Sequence, residues 1–206
     1  ALLPANTFIV NGWTFGGWNT AVDGSGTLKA AGDTVPAKEN EPQTWHAQWY
    51  KQDGTSITVP GKDGNPNNEG TNVTGSGTGI SRNPADGVIT IPPNGTITVT
   101  KDGKQETILL PNGGTLNPDG SYTINQPDGG KIEVDKDGKE ESKDNNGDPK
   151  PGAVIVVMTY HINNGTDGVV KVKAIEGKEV EIAVNTFEWS GYTFLNWMGT
   201  DQKEYK

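Results

Sequence analysis

The chain has 206 residues, of which only 31% are apolar, and it carries 29 glycines, 13 prolines and a formal net charge of −9. This composition argues against one thick globular core and favours several slender units. No basic stripe is present, so we expect no nucleic-acid partner, and the lack of cysteine excludes a disulfide framework and thiolate metal sites.

A fourteen-residue motif near the start of the chain returns near its end. Residues 5–18 read ANTFIVNGWTFGGW, and residues 184–197 read VNTFEWSGYTFLNW. Seven of the fourteen positions are identical: Asn6/Asn185, Thr7/Thr186, Phe8/Phe187, Gly12/Gly191, Thr14/Thr193, Phe15/Phe194 and Trp18/Trp197. Spacing and aromatic identity recur together, so the sequence predicts one kind of module at both ends.

The flanks of the two copies differ. The first copy is followed by a tail with recognisable stretches at 23–27, 31–35 and 47–49. The second copy is preceded by a strand-like lead, made of residues 154–161 and 169–175. A complete module would contain lead, shared segment and tail. We therefore interpret residues 1–50 as the C-terminal part of one module and residues 153–206 as the N-terminal part of a second.

The run NTF…G-Y-T-F…W…DGSGT…AGDTV…AQW resembles the Listeria–Bacteroides repeat, also known as the internalin B-repeat, over about residues 5–50 and 153–200. The resemblance implies a small module of a few strands and a short helix, with a β-grasp-like core. It also implies tandem arrangement in bacterial surface and secreted proteins, often as a stalk or adhesive spacer.

Within the shared segment the aromatic spacing predicts a small apolar centre. Tyr192 and Phe194 lie two positions apart and share one strand face, and Trp197 follows after a turn. The glycines that precede the aromatic strand, Gly12 and Gly191, suit a positive φ. The resemblance further implies that Trp18, Trp49 and Trp197 are core positions.

Residues 51–86 are rich in glycine, asparagine and proline, as in Gly61-Lys62-Asp63-Gly64-Asn65-Pro66 and Gly75-Ser76-Gly77-Thr78-Gly79. Such composition is typical of a linker or extended loop. Residues 141–152 are charged and contain proline, and we interpret them as a solvated hinge.

Residues 87–140 have a regular rhythm of turns. Turn dipeptides recur at Asn94-Gly95, Asp102-Gly103, Asn112-Gly113, Asp119-Gly120, Asp128-Gly129 and Asp137-Gly138. Between them lie apolar pairs two residues apart, namely Ile89/Ile91, Ile97/Val99, Ile108/Leu110, Tyr122/Ile124 and Ile132/Val134. This pattern predicts a repetitive β-meander or β-solenoid. Since an isolated meander is marginal, we expect it to wrap into a solenoid, pack on an end module or associate with copies as a three-chain shaft.

Residues that could carry chemistry are few. Trp45 and Trp189 are weak candidates for stacking on a sugar. Asp135, Asp137, Asp144 and Asp148 are weak candidates for calcium, although turns rich in Asp and Gly explain these aspartates better. The only histidines, His46 and His161, lie in different modules, so no catalytic triad is indicated. An internal isopeptide bond between Lys and Asn or Asp is left open.

The sequence thus predicts a mainly β, non-enzymatic protein without a cofactor: an adhesive or structural repeat region at a bacterial cell surface or wall. It acts as a stalk or spacer that presents a binding tip. The alternatives are a module that binds a carbohydrate or a host receptor, and a fibre-like trimeric shaft. Possible partners are a host surface protein, a glycan, or other copies joined through the incomplete end modules. We expect no membrane span in this fragment, and we expect the fragment to come from a longer protein.

Overall fold

The computed structural model describes residues 1–37, 43–163 and 168–205. The protein is mainly β, with 40% of its residues in strands. In the described ranges the strands are β1 (Thr14–Asn19), β2 (Leu28–Lys29), β3 (His46–Asp53), β4 (Ser56–Val59), β5 (Val73–Ser76), β6 (Ser81–Arg82), β7 (Ile89–Ile91), β8 (Gly95–Lys101), β9 (Lys104–Leu110), β10 (Gly114–Leu116), β11 (Tyr122–Asn125), β12 (Lys131–Val134), β13 (Glu140–Lys143), β14 (Ile155–His161), β15 (Val169–Ile175), β16 (Trp197–Met198) and β17 (Glu204–Tyr205). One 3₁₀ turn, Glu69–Thr71, is the single helical element of these ranges.

The predicted turns and short strands of residues 87–140 are confirmed. Every apolar pair lies within one strand, and glycine has a positive φ in five of the six predicted turns. The hairpin between β8 and β9 shows why Asp-Gly favours a turn here. Both Asp102 (φ 51°) and Gly103 (φ 74°) have the left-handed backbone conformation. This is the type I′ geometry that matches the twist of an antiparallel pair.

The strands form two main sheets and one small hairpin, and none of the sheets is closed. The larger sheet has the order β14-β15-β9-β8-β5-β4-β3-β1-β2, and the smaller has the order β13-β12-β11-β10-β7-β6. β16 and β17 pair only with each other among the described strands. All pairings are antiparallel except a short parallel contact between β15 and β9. The chain alternates between sheets, since the β8–β9 hairpin lies in the larger sheet while β7 and β10 pair in the smaller.

The main core lies between the two sheets. The larger sheet contributes Ile57, Val59, Val73, Ile97, Ile108, Leu110 and Ile175, and the smaller contributes Ile89, Ile91, Leu116, Tyr122, Ile124, Ile132 and Val134. Strand residues alternate between faces, so these core residues point inward while threonines such as Thr58, Thr74 and Thr98 lie on the outer faces. The middle of the chain therefore buries its apolar residues by stacking two sheets within one chain.

Residues 51–86 differ from the expectation of a linker. They contain β4, β5 and β6, and they place Ile57, Val59 and Val73 in the core between the sheets. These strands form although the composition is that of a linker, because β4 and β5 alternate apolar and polar residues. β4 pairs with β3 and β5 pairs with β8, so their backbone groups have partners on both sides. The glycine-rich composition describes the connections, not the strands between them.

The hinge proposed at 141–152 is also partly structured. β13 overlaps its first residues, pairs with β12 and forms the edge of the smaller sheet. Lys143 makes a further antiparallel bridge with Pro149 beyond a tight turn. Charged side chains are compatible with this strand because an edge strand is largely solvated on its outer side.

The two end modules, residues 1–50 and 153–206, contribute the opposite edges of the larger sheet. β1, β2 and β3 form one edge, and β14 and β15 form the other. The second copy packs on the outer face of that sheet, where Leu109 meets Val170, Val172 and Ala183 in a separate apolar cluster. Within the described residues no helix has the length and apolar character needed to cross a membrane.

Candidate functional site

The two copies of the repeated segment have the same local hydrogen bonds. In the first, Asn6 Nδ2 donates to the carbonyl of Phe8 at 2.9 Å and Asn6 Oδ1 accepts from the Phe8 N–H at 3.0 Å. Asn185 and Phe187 form the same two bonds at 2.9 and 3.0 Å. An identical residue pair thus makes an identical turn 179 positions later along the chain, as 185 − 6 shows.

The central tryptophans are also anchored alike. The Nε1–H of Trp18 donates to the carbonyl of Pro4 at 2.9 Å, and that of Trp197 donates to the carbonyl of Ala183 at 2.7 Å. Both bonds span fourteen residues. The internal repeat read from the sequence is therefore also a repeat of these local hydrogen bonds. The strand predicted at Tyr192 and Phe194 is not formed, because in this copy only Trp197–Met198 have a pairing partner among the described residues.

Aromatic packing around the two tryptophans follows the same plan. Phe8 meets Trp18 edge-on at 6.2 Å and 75°, and Phe187 meets Trp197 at 6.2 Å and 74°. The second phenylalanine of each copy is closer, with centroid distances of 5.2 Å in the first copy and 4.9 Å in the second. The predicted positive φ is confirmed at Gly12 (78°) and Gly191 (81°).

The first copy is closed by its tail. β1 pairs with β3 from Thr14↔Tyr50 to Asn19↔His46, with a bulge between Phe15 and Gly17. Trp18, only 7% exposed, is buried with Leu3 and Val35, and the tail residues Trp45 and Ala47 pack against this cluster.

In the second copy the corresponding face is open. The lead hairpin β14–β15 covers one side of Trp197, with the Tyr160 ring 4.9 Å away. On the other side Phe194 is 43% exposed and Leu195 is 82% exposed. The result is an open groove of about 1630 Å³ between β14 and the segment 182–205. We call it the aromatic groove; its aromatic lining residues are Tyr160, Phe187, Trp189, Tyr192, Phe194, Trp197 and Tyr205.

The two tryptophans singled out for sugar stacking lie in different surroundings. Trp189 is 47% exposed and stacks on Tyr192, with ring centroids 4.1 Å apart and planes 19° apart, at the aromatic groove. Trp45 is half-buried against the core of the first copy. The structure therefore brings only Trp189 to an open aromatic surface.

Two of the four aspartates considered for calcium accept hydrogen bonds within their own turns. Asp135 Oδ1 accepts from the N–H groups of Asp137 and Lys139, and Asp144 Oδ1 accepts from those of Asn146 and Asp148. No group of three His, Cys, Asp or Glu residues with metal-binding geometry occurs in the part of the chain that is described. The carboxylates of Asp135 and Asp144 therefore stabilise tight turns as acceptors of backbone N–H groups, whereas the Asp137 carboxylate lies 3.8 Å from the Lys62 ammonium.

His46 and His161 are far apart. His46 lies on β3 and His161 on β14, and five strands of the larger sheet separate them. At about 4.8 Å per strand this spacing amounts to more than 20 Å. The two imidazoles therefore belong to different surfaces.

At the rim of the aromatic groove a tyrosine hydroxyl is hydrogen-bonded to a carboxylate. Tyr205 donates its hydroxyl proton to Asp201 Oδ2 at 3.0 Å, and this hydrogen bond raises the pKa of Tyr205. The N–H of Lys203 and the Tyr205 hydroxyl together lower the pKa of Asp201. The carboxylate thus holds the ring of Tyr205 at the end of the short β16–β17 hairpin.

Three polar contacts attach the end copies to the sandwich, and no sequence motif signalled them. Arg82 donates to the Gly16 carbonyl at 3.0 Å and its guanidinium lies 4.5 Å from the Tyr50 ring centre. Lys173, buried on β15, pairs with Glu140 on β13 at 2.5 Å. Asp23 of the first copy pairs with Lys136 beyond β12. Such pairs join residues distant in sequence, so spacing along the chain carries no signal of them.

No protein-family model, curated protein or solved structure matches this chain.

Proposed function

We propose that the protein is a structural or adhesive repeat segment of a bacterial cell-surface protein, and that it acts as a non-enzymatic spacer. The observation that carries the proposal is the recurrence of one aromatic motif next to the strands β1–β3 and β14–β15, which form the two edges of the larger sheet. The same turn, the same tryptophan anchor and the same phenylalanine geometry occur in both copies. Repetition of a small unit along a chain is the usual construction of extended spacers.

The finer interpretation, a Listeria–Bacteroides-type module with a β-grasp-like core, is part of this proposal. It is supported by the shared motif and by the division of the module into a lead hairpin, β14–β15, and a tail strand, β3. Each half packs against its own copy of the shared segment. The sandwich between them would set the distance from one module to the next.

Localisation tests the proposal directly. An antibody raised against this chain should label intact, unpermeabilised cells of the source bacterium, and protease treatment of intact cells should remove the label. A cytoplasmic control protein should stay protected in the same sample. Labelling that appears only after permeabilisation would contradict a surface role.

A carbohydrate-binding role is the second candidate, and the exposed Trp189–Tyr192 stack favours it. Flat aromatic faces at an open groove offer apolar area for a sugar ring. On a glycan array, binding that is lost in Trp189→Ala and kept in Trp45→Ala would support this role. Absence of binding to any glycan would leave the spacer role as the better account.

A further inference from the structure

The two repeat copies present the same aromatic face, yet only the first is covered. In the first copy β3 lies along β1, and the Trp49 ring meets Phe15 edge-on at 5.9 Å. In the second copy the matching residues, Phe194 and Trp197, face the aromatic groove. None of the described residues occupies the position that β3 has in the first copy.

The register of the first copy specifies how the groove would be filled. Adding 179 to each residue of β1 maps Thr14, Phe15 and Trp18 onto Thr193, Phe194 and Trp197. An incoming strand in the β3 register would then place the counterpart of Trp49 opposite Phe194 and that of Ala47 opposite Trp197. The small alanine would leave room for the Trp197 indole, and the large tryptophan would fill the outer part of the groove beside Phe194.

The segment that faces this position also has backbone groups available for pairing. In the first copy β1 pairs with β2 on one side and β3 on the other. In the second, β16 pairs only with β17 in the described chain. A two-stranded hairpin is marginal in water, and a third strand with an apolar face stabilises it.

We infer that the aromatic groove is a receptor for an extended peptide strand with the side-chain pattern of residues 45–50. The strand would add antiparallel to residues 193–198, with main-chain hydrogen bonds supplying affinity and alternate side chains supplying specificity. The inference rests on the internal repeat and is independent of where the protein resides.

An intact second copy of the chain is a poor source of this strand. β3 is already paired with β1 on one side and with β4 on the other. Releasing it would open the apolar core of the donor's own first copy, including Trp18. The occupant is therefore a strand of this chemistry that is not held in a folded copy.

A synthetic peptide tests the inference. The probe is QTWHAQWYKQD, the sequence of residues 43–53, titrated into isotope-labelled full chain and followed by NMR. We expect saturable shifts at residues 155–161 and 187–205. Saturable shifts confined to other parts of the chain, or no shifts at millimolar peptide, would overturn the proposal.

Variants separate groove binding from general stickiness. Phe194→Ala removes the ring that is expected to contact the peptide tryptophan at position 49. The affinity of the chain for the peptide should therefore fall about tenfold. Ile9→Ala is the matched control, because Ile9 is an exposed apolar residue of the first copy outside the groove, and affinity should be unchanged. A peptide with alanine at the Trp49 position should bind wild type and Phe194→Ala about equally weakly.

Two further outcomes decide between occupants. Sedimentation showing a chain dimer that the peptide cannot dissociate would identify a second copy as the occupant and overturn the inference. A glycan that displaces the bound peptide would show a shared groove, and the peptide titration would still stand. Failure of peptide binding would leave the surface-labelling result unaffected, so the two proposals fail separately.

Discussion

At the residue scale, the same amino acid plays two roles in the two copies. Trp18 and Trp197 make the same backbone hydrogen bond and meet equivalent phenylalanines. Of the two, only Trp18 is buried, since the tail packs against it. The shared motif thus gives the same turn and the same tryptophan anchor in both copies, whereas strand pairing and burial depend on what packs against them, since β1 spans Thr14–Asn19 and the matching strand of the second copy only Trp197–Met198.

This difference predicts unequal costs for the same substitution. Trp18→Ala should destabilise the chain by about 3–5 kcal/mol, as expected for removing a buried aromatic side chain. Trp197→Ala should cost clearly less, because water already reaches one side of the indole. Urea unfolding of both variants measures the difference, and equal costs would show that the second copy is closed in solution.

The ion pair of Asp23 makes the stability of the protein depend on pH. Partial burial raises its pKa, but the Lys136 ammonium and the Ser25 hydroxyl and N–H outweigh this and lower it to about 2, from an ordinary 3.8. The folded pKa lies below the unfolded one, so the ion pair contributes fully above about pH 4 and is lost as the pH falls towards 2.

The check is a pair of unfolding series between pH 2 and 5. Wild type should lose more stability than Asp23→Asn over this interval, because the variant has no carboxylate to protonate. Gln52→Ala, at an exposed residue without a titrating side chain, is the control and should follow the wild-type slope. Parallel curves for wild type and Asp23→Asn would refute the assigned pKa.

At the scale of single elements, β4 is the informative strand. Its sequence, Ser-Ile-Thr-Val, alternates so that Ile57 and Val59 enter the core while Ser56 and Thr58 face outward. The outer hydroxyls pair across strands, with Thr58 and Thr74 2.8 Å apart. A strand of four residues is therefore fixed by its neighbours on both sides and by one face of the core.

Substitutions in β4 test its place in the core. Ile57→Ala should cost about 2–5 kcal/mol, since this side chain is 1% exposed between the two sheets. Thr58→Ala, one residue away on the outer face, should cost about 1 kcal/mol, the price of one partly solvated hydrogen bond. Chemical denaturation compares them, and a neutral Ile57→Ala would mean that this segment is not part of the folded core.

At the scale of the whole molecule, the larger sheet joins strands from both end modules to strands from the middle of the chain. It runs from β2 in the first copy to β14 in the second, and the smaller sheet packs on its middle. In this arrangement the apolar residues of β7, β10, β11 and β12 are buried against β4, β5, β8 and β9 of the same chain. The proposal of a spacer therefore involves a self-sufficient sandwich between two modules.

Hydrogen exchange can test this connectivity. Amides of β4 and β5 should be protected about as strongly as those of β8, because all three are internal strands of the same sheet. Exposed turns such as the one at Gly103 should exchange quickly and serve as the internal control. Complete exchange of β4 and β5 within seconds would indicate a linker, as their composition had suggested.

The sequence by itself determined the local features of this protein. The turn dipeptides and alternating pairs predicted the strands of residues 87–140, because hairpin geometry depends on neighbours in the chain. The repeated motif likewise predicted the two aromatic copies, since Asn6 and Asn185 form their turns with residues two positions away. Tertiary structure alone decided the rest. Whether Ile57 belongs to a linker or a core, and whether a tryptophan is covered or faces a groove, depends on strands far away in sequence, and short apolar pairs do not specify their partners.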